Sequence, residues 1–302
     1  MTSTYADGAA VEQAIKAAAV ALCAGNSALQ VSEVIRQIHF DRFLSRIFSK
    51  GGEGNWILKG GTGLLARIPN ARSTTDIDLF HSSLDLAAAL VDLRRMALVD
   101  LHDHFYFAFV SQQPLLGGDL QPHNPGYRVH FRYSIGAAEK GTLQIDLVIG
   151  PEVQGQIETL RPINRPSNLK LVSFDYQLYP IANQIADKVC ACLSTYKSGA
   201  SSRVHDLVDL VVLATSYQIE ADALQVALQD ELSRRGLNGV TSVTFPSQWR
   251  SRYGTLAKSV PACRRHLNFA DACALMDTFL GVLLTGVKAR GHWNPVALAW
   301  LD

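Results

Sequence analysis

The pattern of apolar and polar positions divides the chain into a helical beginning, a mixed middle and a helical end. Apolar residues recur at the three- and four-residue spacing of an amphipathic helix over residues 11–22 and again over residues 34–47. These two helices predict a helical N-terminal extension over residues 1–50. Glycines at positions 51, 52 and 54 then end the helical pattern.

The middle of the chain, residues 51–175, changes to the shorter patterns of an α/β lobe. Residues 56–58 form an apolar run that stops at a Gly-Gly pair, as a strand entering a tight turn does. Residues 62–68 read as a short helix that ends at Asn70, and residues 84–98 read as a longer helix. Further strands are predicted over residues 76–80, 104–111, 127–135 and 142–149.

Helical spacing returns in the last part of the chain, residues 176–302, although residues 233–268 are less regular. The predicted helices cover residues 181–193, 204–215, 219–232 and 270–284. The pattern therefore predicts an α+β fold, in which a mixed-sheet lobe lies between a helical N-terminal extension and a helical C-terminal lobe. A cleft between two such lobes is a common place for a ligand.

Length and composition limit the class of protein. With 302 residues, of which 48% are hydrophobic and 18% charged, the chain can bury a large core, which excludes a disordered protein. Five cysteines without a Cys-x-x-Cys pair argue against a disulfide framework or a cysteine zinc site, and they favour a reducing, cytoplasmic location. Uninterrupted apolar stretches stay shorter than about 18 residues, so no membrane span is predicted.

The net charge of +1 does not by itself indicate a nucleic-acid-binding protein, although a balanced total permits a local basic surface. Seven arginine and lysine residues give the less regular C-terminal stretch a basic composition. They are Arg234, Arg235, Arg250, Arg252, Lys258, Arg264 and Arg265. The sequence alone is equally consistent with a surface that binds an RNA backbone and with a solvated loop surface.

A pair of aspartates is the first indication of chemistry. Side chains alternate along a strand, so Asp76 and Asp78 share one face while the apolar residues between and after them face the core. Two neighbouring carboxylates can hold a divalent cation, and oxygen ligands favour Mg²⁺ or Mn²⁺ over zinc. Asp146 lies in a second alternating strand. If the two strands are neighbours, three carboxylates meet, which can hold two cations about 3.5–4 Å apart.

The turn before the aspartates supplies a complementary feature. Gly60 and Gly61 let the backbone approach a ligand, and the helix that begins at Thr62 offers free N–H groups to an anion. The Thr62 hydroxyl is expected to bond a phosphate oxygen, and Arg72 to neutralise further phosphate charge. We group Lys59 with these nucleotide-binding residues. An isolated Asp-x-Asp is usually a solvated turn, but this order and spacing predict a metal-dependent nucleotidyltransferase site.

At these residues the sequence resembles the polymerase-β-like nucleotidyltransferase superfamily and, more closely, the AbiEii/AbiGii-type toxins, the group that includes the MenT-like toxins. In this family a glutamate often precedes the lysine that corresponds to Lys188, and here that position is Asp187. The matching pieces, in order, are residues 58–65 (LKGGTGLL) with 72–79 (RSTTDIDL), 144–147 (QIDL), 185–189 (IADKV) and 203–210 (RVHDLVDL).

The resemblance implies roles for individual residues. Asp76 and Asp78 correspond to metal ligands, and Asp146 to the third acidic position, which acts as ligand or base. Lys188 corresponds to a lysine that contacts the triphosphate, and Asp206 to an acidic residue essential for activity. From the residues alone, an ordinary salt bridge between two helices explains Lys188 and Asp206 equally well.

The resemblance also implies a function, that of a toxin in a toxin–antitoxin system. Such an enzyme would use Mg²⁺ or Mn²⁺ to transfer NMP from a nucleoside triphosphate to RNA, in this group to the 3′ acceptor end of tRNA. The product could not be aminoacylated, so translation would stop, and a cognate antitoxin would be encoded alongside. Thr74 and Thr75 are candidate sites of regulatory phosphorylation, because about −2 charge there would repel the triphosphate.

Two other classes of protein fit the same residues. A nucleotidyltransferase that modifies a small molecule, such as an aminoglycoside-type resistance enzyme, would share the Asp-x-Asp site but would need an acidic pocket for its cationic substrate. A catalytically silent nucleotide- or RNA-binding regulator would bind without turnover. The charge of the pocket distinguishes the small-molecule enzyme from the toxin, and a transfer assay distinguishes the silent regulator from an enzyme.

Overall fold

The computed structural model describes residues 4–26, 29–69, 71–82, 85–115, 126–150, 153–196, 199–285, 287 and 290–302. Positions 70 and 84, where the pattern set the end of one predicted helix and the start of the next, lie outside these ranges. The helices are α1 (Gly8–Ala24), α2 (Val31–Ile47), α3 (Gly60–Arg67), α4 (Leu86–Ala97), α5 (Ile181–Leu193), α6 (Val204–Ser216), α7 (Ala221–Arg234), α8 (Arg250–Lys258) and α9 (Phe269–Leu284).

The strands are more numerous than the sequence pattern predicts, and three of the predicted strands extend further. They are β1 (Trp56–Leu58), β2 (Ile77–His81), β3 (Phe105–Pro114), β4 (Gly126–Ile135), β5 (Ala138–Ile149), β6 (Glu158–Leu160), β7 (Tyr176–Leu178), β8 (Thr195–Tyr196), β9 (Gly199–Ala200), β10 (Ile219–Glu220), β11 (His292–Asn294) and β12 (Ala299–Leu301). The additional strands have two or three residues each, which is too short for alternation to be recognised.

Seven strands form one sheet in the order β3-β4-β5-β2-β1-β7-β6. β2 runs parallel to β5 and β1 runs parallel to β7, whereas the other neighbours are antiparallel. The sheet is therefore mixed, and together with the helices it confirms the predicted α+β class. The domain boundaries after residues 50 and 175 remain a prediction.

One face of this sheet is apolar and is covered by the N-terminal helices and α4. Phe43 of α2 contacts the rings of Phe107 and Phe131, with centroid distances of 5.2 and 5.3 Å. Ile145 and Leu147 of β5 are fully buried in the same cluster. Because side chains alternate along a strand, the residue between them points to the opposite face of the sheet, where the carboxylates lie.

A second hydrophobic core lies among the C-terminal helices, and α6 is its most deeply buried element. Trp293 of β11 donates its indole N–H to the carbonyl oxygen of Ala214 (2.7 Å), which fixes the short three-stranded sheet β10-β11-β12 against α6. Leu64 and Ile68, in and just after α3, also pack in this core. The helix that follows the glycine turn therefore connects the large sheet to the C-terminal helices.

The capping residues explain where two helices begin. Asp85 accepts hydrogen bonds from the N–H groups of Ala87 and Ala88 at the start of α4 (2.9 and 3.1 Å), and Asn268 caps α9 in the same way. The described residues contain no helix that is both long and apolar enough to cross a lipid bilayer.

Candidate active site

The structure places the three predicted carboxylates on one face of the sheet. Asp76 directly precedes β2, Asp78 lies within it, and Asp78 is in register with Asp146 on the parallel neighbour β5. Side chains at facing positions of adjacent strands share a face, so the three carboxylates converge. Burial, and then the charges of Asp76 and Asp146, raise the pKa of Asp78 to about 7.

The third carboxylate already has a partner that the sequence did not reveal. Arg128 on β4 is in register with Asp146 and donates from Nε and from its terminal nitrogen to the two carboxylate oxygens, both at 2.9 Å. Asp146 is 1% exposed, so this bidentate pair compensates the burial of its charge.

The three carboxylates differ in how well they fit the divalent cation that the resemblance implies. Asp76 and Asp78 fit it, because their oxygen donors are crowded together with like charge, which a hard cation relieves. Asp146 is engaged by Arg128, and within the described ranges no three His, Cys, Asp or Glu side chains are arranged as a ready metal site. The cation would therefore be held first by Asp76 and Asp78.

The glycine turn lies directly against Asp78. Gly60 has φ +61°, a left-handed conformation that favours glycine, and a Cβ built on it would lie 1.7 Å from Oδ2 of Asp78. A Cβ on Gly61 would lie 3.1 Å from the side chain of Thr74. The turn itself also starts α3, which therefore begins at Gly60 rather than at the predicted residue 62.

Thr62 has a different role from the predicted one. Its hydroxyl donates to the backbone carbonyl of Asp76 at 2.8 Å, and a hydroxyl has only one proton to donate. The expected direct bond from Thr62 to a phosphate is therefore replaced by a bond that holds Asp76. Thr74 supports the same residue, since its hydroxyl donates to Oδ1 of Asp76 at 2.7 Å.

A chain of alternating charges lies opposite the carboxylates. Lys188 of α5 donates to Asp206 (2.8 Å) and Asp209 (2.6 Å) of α6. Arg72 binds Asp209 through two nitrogens at 2.8 and 2.9 Å, and Arg203 donates to Asp206 at 2.7 Å. Three cations share two carboxylates, so this cluster carries an excess positive charge that suits a phosphate.

Electrostatics keep Lys188 and Asp206 of this cluster ionised. Burial alone would lower the pKa of Lys188, but Asp206 and Asp209 outweigh it and raise that pKa above its usual value. Burial likewise opposes ionisation of Asp206, yet Lys188 and Arg203 lower the pKa of Asp206 to about 2. Lys188 and Asp206 thus form the salt bridge that the sequence allowed, and both also line the cavity described below.

Helix α5 also holds the glycine turn. Gln184 donates its side-chain amide to the carbonyl oxygen of Gly60 at 2.9 Å. Lys59 lies 3.0 Å from Asp187 and 4.0 Å from the ring centroid of Tyr179. Because Lys59 is engaged by these two partners, it would contribute to nucleotide binding mainly as a nearby positive charge.

A cavity of about 850 Å³ joins these parts, which is within the range of about 300–1,000 Å³ that small-molecule sites occupy. It is lined by every predicted site residue except Thr62. Seven Lys or Arg residues and five Asp residues contribute to the lining, which leaves an excess of two positive charges. The lining therefore suits a polyanion better than a cation.

Three contributors were missed at the level of sequence. Asp209 lies in the matching segment 203–210 without an assigned role, although it binds both Arg72 and Lys188. Arg128 lies on the polar face of an alternating strand, a pattern that does not distinguish a site residue from a solvated one. No sequence feature identifies Gln184 as the residue that holds Gly60.

Comparison with known proteins agrees with this geometry. The family model for the nucleotidyl transferase AbiEii toxin of type IV toxin–antitoxin systems matches residues 42–274. Among solved structures, the chain is similar to MenT4, a nucleotidyltransferase toxin from Mycobacterium tuberculosis H37Rv, with 17% identity and a TM-score of 0.55 over 91% of this chain and 90% of that chain. JHP933 from Helicobacter pylori shows 15% identity and a TM-score of 0.44 over 83% and 90%.

Among curated proteins, none matches the chain significantly. The likeness to MenT4 confirms a nucleotidyltransferase fold. The family itself is established by the match to the family model, which extends over most of the chain. The carboxylate cluster and the cationic cluster lie within the matched region, and the resemblance seen in the motifs is thereby confirmed. The chain belongs to the AbiEii family of nucleotidyltransferase toxins, which act in toxin–antitoxin systems.

Proposed function

We propose that this protein transfers NMP from a nucleoside triphosphate to the 3′ acceptor end of tRNA in the cytoplasm, and thereby blocks translation. The observation that carries the proposal is the single cavity in which Asp76 and Asp78 face the cluster around Lys188 across a lining of excess positive charge. Membership of a toxin–antitoxin family implies a nucleoside triphosphate as substrate and an antitoxin as partner.

The residues divide the work between the two sides of the cavity. Asp76 and Asp78, joined by Asp146 once Arg128 releases it, would hold Mg²⁺ or Mn²⁺. Such cations lower the pKa of an attacking hydroxyl and neutralise the leaving pyrophosphate. Thr62 and Thr74 fix Asp76 through its carbonyl and carboxylate oxygens.

The cationic side binds and orients the triphosphate. Lys188 and Arg72 face the cavity, and Asp206 and Asp209 hold them in position. In the transfer step the acceptor hydroxyl attacks the α-phosphorus, the bond from that phosphorus to the bridging oxygen breaks, and pyrophosphate leaves. The proton of the hydroxyl passes to the carboxylate cluster.

The lining of the cavity also bears on the alternative functions. An enzyme for a cationic small molecule needs an acidic pocket, and an excess of two positive charges opposes such a substrate. A silent regulator would share the cavity, so only turnover separates it from an enzyme.

The first prediction is that the purified protein labels tRNA from at least one α-³²P-labelled nucleoside triphosphate, and that EDTA abolishes the labelling. Oxidation of the tRNA 3′ diol with periodate is the matched control, because it removes the proposed acceptor hydroxyl and should prevent labelling. Absence of label with all four nucleotides would contradict the proposal. Cation-dependent nucleotide binding without transfer would support the regulator instead.

We further propose that phosphorylation next to Asp76 inactivates the enzyme, and the difference in exposure favours Thr75 over Thr74 as its site. Both threonines line the cavity, but Thr75 is exposed, whereas Thr74 is buried with its hydroxyl bonded to Asp76. The second prediction is that co-expression with the antitoxin adds the mass of one phosphate, which Thr75→Ala removes and Thr74→Val does not. An unmodified mass with complete neutralisation of toxicity would overturn this idea.

A further inference from the structure

The sequence contains no acidic residue between Glu231 and Asp271, although the whole chain is almost balanced, with 28 Lys or Arg and 27 Asp or Glu. Five of the cations in this stretch lie within or soon after α8 and are called the basic rim. They are Arg250, Arg252, Lys258, Arg264 and Arg265. A local excess of this size within a neutral chain indicates a surface for an anion.

The structure shows that the basic rim faces solvent because the other side of α8 is buried. Tyr253 and Ala257 are fully buried, and the hydroxyl of Tyr253 donates to the backbone carbonyl of His266 at 2.7 Å. All five side chains of the basic rim are exposed. In the part of the chain that the structure describes, none of them lies within 4.0 Å of a carboxylate, in contrast to the paired cations inside the cavity.

The basic rim borders the cavity through Arg252. Arg252, Leu256 and Ser259 line the cavity, and their spacing places them on one face of α8 and the turn that follows it. Arg252 also reaches His205 of α6 at 3.4 Å, beside Asp206. A polymer whose end enters this cavity would therefore pass over the basic rim.

We propose that the basic rim binds the phosphate backbone of the acceptor RNA behind its 3′ end, an inference that rests on the proposed function. Exposed, unpaired cations bind a polyanion well, because each phosphate contact releases condensed counterions. A protein partner is less well matched, since protein interfaces are depleted in lysine and centre on apolar anchors. Here the exposed positions of α8 are arginine, serine, threonine and lysine.

The test compares two triple variants that remove the same charge. Lys258→Ala/Arg264→Ala/Arg265→Ala alters the basic rim. The control changes three other exposed cations that line neither the cavity nor the basic rim, namely Lys16→Ala/Lys50→Ala/Arg161→Ala. The affinity of each full-length protein for tRNA is measured by fluorescence anisotropy at several salt concentrations, together with nucleotide affinity without RNA and the thermal midpoint.

The third prediction is that the basic-rim variant binds tRNA at least about tenfold more weakly at low salt. The slope of log K against log salt should fall by about 2–3, or roughly 0.7–0.9 for each lost phosphate contact. The control variant should retain the wild-type slope, and both variants should retain nucleotide affinity and thermal midpoint.

Four outcomes would count against the inference. Equal weakening in both variants would show an effect of net charge alone. Unchanged RNA affinity together with loss of the co-purifying antitoxin would make the basic rim a protein-binding surface. If the wild-type protein neither binds nor labels tRNA, the proposed function itself is refuted. If the wild-type protein labels tRNA and the basic-rim variant fully retains this labelling, only the inference about the basic rim is refuted.

Discussion

Asp78→Asn is expected to reduce nucleotidyl transfer by at least about a thousandfold without lowering the stability of the fold. Burial, and then crowding by the charges of Asp76 and Asp146, raises the pKa of the Asp78 carboxylate to about 7. An amide has nearly the same shape but no negative charge, so it removes a cation ligand and also relieves the repulsion. The free energy of unfolding should therefore stay the same or rise.

Three measurements on the purified variant check this prediction: the rate of NMP transfer to tRNA, Mn²⁺ binding by electron paramagnetic resonance without nucleotide, and the thermal midpoint. Glu139→Gln is the matched control, because Glu139 is an exposed carboxylate on the same strand as Asp146 and lies outside the cavity lining. Wild-type transfer or wild-type Mn²⁺ affinity in the Asp78 variant would refute the assignment of the carboxylate cluster.

The carboxylates show how far the sequence could predict the site. Strand alternation places Asp76 and Asp78 on one face, because the period of a strand is a local property. It also places the side chain of Asp146 on the face opposite to the buried Ile145 and Leu147. The pairing of β2 with β5, which brings Asp146 beside Asp78, joins distant parts of the chain. From the sequence alone, the three carboxylates therefore meet only if these two strands are neighbours.

The cationic side shows where local reasoning stops. Lys188 and Asp206 were identified by resemblance, whereas Asp209 carries as many charge contacts and had no role that the sequence indicated. The partner that a polar side chain finds depends on which segment passes beside it. For the same reason the Thr62 hydroxyl, assigned to a phosphate from its place at a helix start, instead bonds the carbonyl of Asp76.

These contacts suggest why the site is built from several elements. Gln184 and Asp187 of α5 hold Gly60 and Lys59, while Lys188 on the same helix holds the cluster on α6. A change in the position of α5 would therefore move the glycine turn and the cationic cluster together. The distance between the carboxylates and the cationic cluster around Lys188 thus depends on one helix.

Gly60→Ala is the other substitution with a large expected effect, since it acts on Asp78 through the backbone. A methyl group at this position would lie 1.7 Å from Oδ2 of Asp78, in a residue whose φ is +61°. The carboxylate or the turn must move, and we expect transfer to fall at least about a hundredfold because catalytic groups tolerate displacements of only about 1 Å. The thermal midpoint should fall as well.

Gly51→Ala separates the two causes of this effect. Gly51 has φ +57°, but a Cβ there meets no atom within 4 Å, so the variant carries the backbone strain without the collision. Left-handed backbone costs an alanine about 1–2 kcal/mol, so Gly51→Ala should lose that much free energy of unfolding, and Gly60→Ala at least that much. Only Gly60→Ala should also lose transfer. Equal transfer by the two variants would mean that the position of Asp78 against the glycine turn does not limit the reaction.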